Sequence, residues 1–93
     1  MPKMRDFVAL NIATSFDNLM TPGYYVFGSL LTNVNSPGLP VKLSGKAGSC
    51  SVTALVGNGL RQTFAGRDNP KIYFRVWNGS NWSAINEITS AAI

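Results

Sequence analysis

The sequence predicts a small, mainly β domain: an antiparallel meander forming a sandwich-like knob, entered by an irregular or short-helical lead-in. Three observations predict it. "YYVFGSLL" (24–31) is rich in β-forming residues. From Cys50 onward, "CSVTALV", "LRQTFA" and "KIYFRVW" alternate apolar and polar residues with a period of two. Between and after them stand "GNG", "GRDNP" and "NGSN", clusters of turn-forming residues placed where hairpins would close.

Residues 1–16 form a lead-in or a shaft-proximal segment, and their conformation reads two ways. Val8, Leu10 and Ile12 alternate as in a strand, while Met4, Phe7, Val8 and Ile12 could form a short helical stripe. The knob, 17–93, opens with "DNLMTPG", where Asp17 reads as a local cap and Pro22-Gly23 as a type II turn. That turn launches the strand at 24–31. "TNVNSPGLP" (32–40) is a loop, Pro40–Leu43 a short strand, and "KLSGKAGS" (42–49) a flexible stretch overlapping its end.

The hairpin from Cys50 is expected to close on a three-residue loop, Gly57-Asn58-Gly59. Cys50, Val52, Ala54, Val56, Leu60 and Phe64 then share one apolar face, whereas a two-residue loop would put Arg61 and Thr63 among them. Carrying that face onward pairs Phe64 with Ile72 and Leu60 with Val76. It also leaves Tyr73, Arg75 and Trp77 on the opposite, exposed face. "NGSN" makes the last turn, and a loop of either two or four residues sets Trp77 opposite Trp82 and Phe74 opposite Ile85.

Composition narrows the function. A chain of 93 residues makes one domain. At this size only about 60–65% of the unfolded surface is buried, so the monomer core is thin. Charged residues are 13% of the chain, and Asn, Ser and Thr number 24 against 12 charges. Such a surface suits an extracellular structural protein, or a protomer that buries its surface against copies of itself. The net charge is +4, but the cations are spread from Lys3 to Arg75 rather than gathered in a stripe, which argues against nucleic acid. No apolar run approaches the ~20 residues of a membrane span, and the N-terminus lacks a signal-peptide pattern.

Catalysis is not expected. Four carboxylates (Asp6, Asp17, Asp68, Glu87) and no histidine leave no nucleophile pair, no zinc set and no cofactor-binding motif. Cys50, the single cysteine, reads as a small buried hydrophobe in phase with Val52.

In order, "DNLMTPGYYV", an Asn/Pro/Gly-rich loop, "LRQTF", "IYFRVWNGSNWS" and "NEI" resemble the pyocin-knob type of domain found in bacteriophage tail fibres and R-type pyocin fibres. The match runs from Asp17 to Ile88 and includes Leu19, Thr21, Gly23, Tyr24, Gln62, Tyr73, Arg75, Gly79, Trp82 and Ser83. It departs at Ile85, where the family carries its second tryptophan, and at Trp77, where the family is polar. The resemblance implies a non-catalytic homotrimer on a virion fibre, made in the host cytoplasm and needing no secretion address. Its partner would be bacterial surface polysaccharide or lipopolysaccharide. It implies structural roles for Asp17, Gly23, Tyr24, Gly79 and Trp82.

Two functions follow. Tyr73, Arg75 and Trp77, at consecutive same-face positions ~6.5–7 Å apart, could form a platform for an anionic glycan. Alternatively, the tryptophans serve packing, and the domain trimerises or spaces a fibre with no ligand of its own. The apolar residues Ile88, Ala91, Ala92 and Ile93 point to a subunit contact.

Overall fold

The computed structural model describes residues 8–10, 14–68 and 71–88. They form a single six-stranded sheet whose spatial order follows the chain: β1 (Val8–Leu10), β2 (Gly23–Phe27), β3 (Gly48–Leu55), β4 (Gly59–Gly66), β5 (Ile72–Trp77) and β6 (Asn86–Ile88). From β2 onward every pairing is antiparallel, so the expected meander is present. The lead-in contributes a strand, Val8–Leu10, which pairs parallel with Tyr25–Phe27. Parallel neighbours need a crossover of about a dozen residues. The stretch leading into β2 supplies it and carries a one-turn 3-10 helix, Phe16–Asn18. Met4, Phe7 and Ile12 lie outside the described residues, as do Asn69 and Pro70 of the "GRDNP" turn and Ala91, Ala92 and Ile93.

One face of the sheet is covered, and the covering layer is not a second sheet. Tyr25, Cys50, Phe64 and Tyr73 form one buried row across β2 to β5. Phe16, Leu31, Leu39 and Leu43, from the 3-10 turns and loops, pack onto that row with Phe27 and Val52. The ring of Phe16 meets Phe27 and Phe64 edge-on at 5.6 and 5.4 Å. Loops can serve as the second layer because their backbone groups bond one another, as in Ser36 N–H to Thr32 O and Gly45 N–H to Leu31 O.

Several expectations are corrected. Pro40–Leu43 is not a strand: Val41–Leu43 is a 3-10 helix closed by Leu43 N–H to Pro40 O, which turns Leu43 into the core. The run 24–31 stops being a strand at Phe27, and Leu31 is buried from the loop beyond. Gly23 lacks the positive φ of a type II turn and begins β2. The β3–β4 loop has three residues, but they are Val56-Gly57-Asn58, with Leu55 opposite Gly59. Gly57 and Asn58, both at positive φ, reverse the chain there, and Val56 is left fully exposed at the tip. This shift of two residues preserves the faces, so Cys50, Val52 and Phe64 are buried as expected.

The β4–β5 register is displaced by one residue, which reverses every side chain. Leu60 faces Trp77, Gln62 faces Arg75 and Phe64 faces Tyr73. Tyr73 and Arg75 therefore point into the covered face, while Ile72, Phe74 and Val76 lie on the open one. The bridge Trp77–Trp82 forms as expected. Beyond it the register moves by one, so Phe74 faces Asn86 rather than Ile85, and Ile85 packs against the core. Such an offset is a bulge. Ser83 spans it, its N–H donating to Val76 O (2.8 Å) and its Oγ accepting from Val76 N–H (3.0 Å).

Candidate functional site

Of the residues singled out in the sequence, Asp17, Arg75 and Trp82 converge on one cluster at the covered face of the sheet. Gln62 sits in phase with Leu60 and Phe64 and is completely buried. Its Nε2 donates to the carbonyls of Phe16 (2.7 Å) and Leu19 (3.0 Å), tying the first 3-10 helix to β4. Its Oε1 accepts from Arg75 Nε at 2.8 Å. Arg75 Nη1 donates to Asp17 Oδ1, also at 2.8 Å, and the Trp82 indole N–H donates to the Asp17 carbonyl at 3.1 Å. The guanidinium lies 4.2 Å from the centre of the Trp82 ring, on which Trp77 abuts edge-on at 5.4 Å.

Asp17 is therefore not a cap; its side chain, half exposed, is the counter-ion of a buried arginine. Gly38 closes the cluster. At φ +90° it comes so near that a Cβ there would lie 2.6 Å from Arg75 Nη2 and 2.8 Å from Asp17 Oδ1. Nη2 faces that wall with no acceptor among the described residues.

Tyr73 and Arg75 are 3% and 5% exposed, so the expected platform of Tyr73, Arg75 and Trp77 on an open face does not form. The physical reason is the buried Gln62: its carbonyl oxygen needs a donor, and only the shifted register brings Arg75 opposite it. Trp77 is half-buried at the rim, and Trp82, half-buried too, roofs the guanidinium. Among residues given structural roles, Gly79 stands at φ +101° in a turn where Asn78 Oδ1 accepts from the N–H groups of Ser80 (2.9 Å) and Asn81 (2.8 Å). Tyr24 is 47% exposed, and its neighbour Tyr25 is the buried ring, with its hydroxyl donating to Thr21 O at 2.6 Å. Gln62 and Gly38 received no role from the sequence. A polar residue at an apolar position of β4 was the available signal for Gln62.

Asp17 pairs with Arg75, Asp68 with Arg67, and Glu87 with both Lys42 (3.0 Å) and Lys71 (3.3 Å). The hydrogen bonds from Lys42 and then Lys71 hold the Glu87 carboxyl below its usual range. Burial pushes the Cys50 thiol up to about 12, the charge of Arg75 opposing only in part, so the thiolate nucleophile is suppressed. No group of three His, Cys, Asp or Glu side chains that could hold a metal ion occurs among the described residues. Nor is any described helix long and apolar enough to cross a membrane.

The other face of the sheet has no covering layer among the described residues. Ile72, Phe74 and Ile88, with Thr63 and Arg61, line a shallow hollow of about 300 Å³ there. Compared with known proteins, the chain matches no family model, no curated protein and no solved structure.

Proposed function

We propose that this chain is a non-catalytic assembly module of the phage tail-fibre type, acting as a homotrimer through the open face of its sheet. The single observation carrying the reading is the division of labour between the two faces. Asp17, Gln62, Arg75 and Trp82 are spent on holding the covered face together. Ile72, Phe74 and Ile88 remain on the other face with Ile88 half exposed, a surface whose burial against a copy would be favourable. The low charge of the chain and its resemblance to fibre knobs support the same reading. A contact with bacterial surface polysaccharide or lipopolysaccharide through Tyr73 and Arg75 lacks this support, because neither side chain reaches the surface.

Light scattering on the full chain at micromolar concentration tests the reading. The expected mass is three times that of the 10.0 kDa chain. Phe74→Glu, which sets a charge in the middle of the open face, should give a folded monomer. A wild-type monomer at that concentration would refute the proposal.

A further inference from the structure

Asn-Gly occurs twice, at Asn58-Gly59 and Asn78-Gly79, each where a hairpin turns. The dipeptide carries its own chemistry. A glycine nitrogen is uncrowded, so it can attack Cγ of the preceding asparagine, expel ammonia and close a cyclic imide. As sequence the two sites are alike; the fold separates them. Gly59 already belongs to β4, opposite Leu55, and is buried. A Cβ there would lie 3.2 Å from Leu55 Cβ and 3.3 Å from the Trp77 carbonyl oxygen, so this backbone is closed in and poorly placed to lose a proton to water. Asn58, at φ 64°, has no side-chain hydrogen bond among the described residues to fix its amide.

Asn78-Gly79 differs at each of these points. Both residues are exposed. The Gly79 N–H donates to no acceptor among the described residues, so hydroxide reaches its proton. Asn78 Oδ1 accepts from Ser80 N–H at 2.9 Å and from Asn81 N–H at 2.8 Å. Attack at Cγ moves negative charge onto that oxygen, and two backbone donors already aimed at it stabilise the charge, as in an oxyanion hole. Nδ2, the leaving group, is bonded to nothing among the described residues. The Asn78 N–H donates to Asn81 O at 3.1 Å, so the turn holds this arrangement.

The geometry points to Asn78 as a site of self-modification by deamidation, with Asn58 spared. Hydroxide removes the Gly79 N–H proton, the nitrogen bonds to Asn78 Cγ, and the Cγ–Nδ2 bond breaks. The amide leaves as ammonia with a proton from water, which restores the hydroxide. A second water opens the imide at either carbonyl, giving aspartate or isoaspartate at position 78. Either product lowers the net charge from +4 by one. Isoaspartate also routes the backbone through the former side chain, which lengthens the turn by a methylene. That disturbs the Trp77–Trp82 bridge, and with it the ring whose centre lies 4.2 Å from the Arg75 guanidinium. The proposal does not rest on the assembly reading, since no residue of the turn lines the hollow of the open face.

The test is a time course of the full chain at mildly alkaline pH, folded and in parallel in urea, digested and read by mass spectrometry. In urea both sites are Asn-Gly in an open chain, and the amide-to-acid mass gain should appear at about equal rates. In the folded protein the rate at Asn78 should exceed that at Asn58 about tenfold, and should rise with pH. The isoaspartate fraction, separated by cation exchange, should melt below the unmodified chain. Asn78→Ser, which keeps an oxygen to cap the turn and has no amide to lose, should hold its melting temperature through the same incubation. Equal rates at the two sites in the folded protein, or faster conversion at Asn58, would overturn the proposal. An isoaspartate fraction that melts with the unmodified chain, or a fall in Asn78→Ser matching the wild type, would overturn the link to the Arg75 cluster.

Discussion

Replacing Arg75 by Met keeps most of the side-chain stem in the core and deletes the guanidinium. Three interactions go with it. Gln62 Oε1, buried and 2.8 Å from Arg75 Nε, loses its donor, and an orphaned buried acceptor costs about 1–3 kcal/mol. The bond to Asp17 counts for less: that carboxylate is 50% exposed and regains water, so its share is below ~1 kcal/mol. The cation over the half-buried Trp82 ring adds about 1 kcal/mol. Relief from burying a charge offsets part of this. The net expectation is a loss of about 3 kcal/mol, against a total of roughly 5–14 kcal/mol for a chain of this size. In melting temperature that is roughly 12–24 °C.

Urea unfolding followed by tryptophan fluorescence at one fixed protein concentration measures the loss, with Trp82 reporting directly on the site. Gln62→Leu removes the acceptor that Arg75→Met orphans, so the double variant should cost at least ~1 kcal/mol less than the sum of the two singles. A loss below ~1 kcal/mol in Arg75→Met, or strict additivity in the double variant, would refute the reasoning. Arg75 would then be solvated and free for another role.

Gly38→Ala should cost about 2–4 kcal/mol, because a methyl group at φ +90° also displaces the Arg75–Asp17 pair; Gly45→Ala, at φ +75° in open space, should cost only the strain of about 1–2 kcal/mol, and equal losses would exclude the clash. Cys50 should react with a thiol reagent only on unfolding. Its folded thiol holds its proton to about 12 while the unfolded one ionises near 9.0, so the unfolded state sheds that proton first. Stability should therefore be intact below pH 9 and fall above it by up to about 1.4 kcal/mol per pH unit, a slope that Cys50→Ala lessens. Trp82→Ala should cost about 2–3 kcal/mol and Trp77→Ala about 1 kcal/mol, both below a fully buried tryptophan, because only Trp82 bonds Asp17 and roofs Arg75; calorimetry giving the reverse order would contradict the site.

The sequence by itself determined the local features. The meander from Cys50, the "NGSN" turn, the Trp77–Trp82 bridge and the burial of Cys50 all follow from turn residues and a period of two. Of the cluster, Asp17, Arg75 and Trp82 were legible as residues that mattered, but not their relation to one another. The tertiary structure alone decided which way β5 faces. In a hairpin the face depends on a single residue of register, and counting apolar side chains favours Ile72, Phe74 and Val76 for the interior. That count treats arginine as a surface residue. Here Arg75 is at home inside because Gln62 lies 13 positions away in sequence and Asp17 lies 58, while Gln62 in turn holds the Phe16 carbonyl 46 positions away. The parallel β1–β2 pairing is equally non-local. Hydrogen bonds between such distant groups satisfy a buried charge only after the chain has folded, so no short window of residues carries their signal.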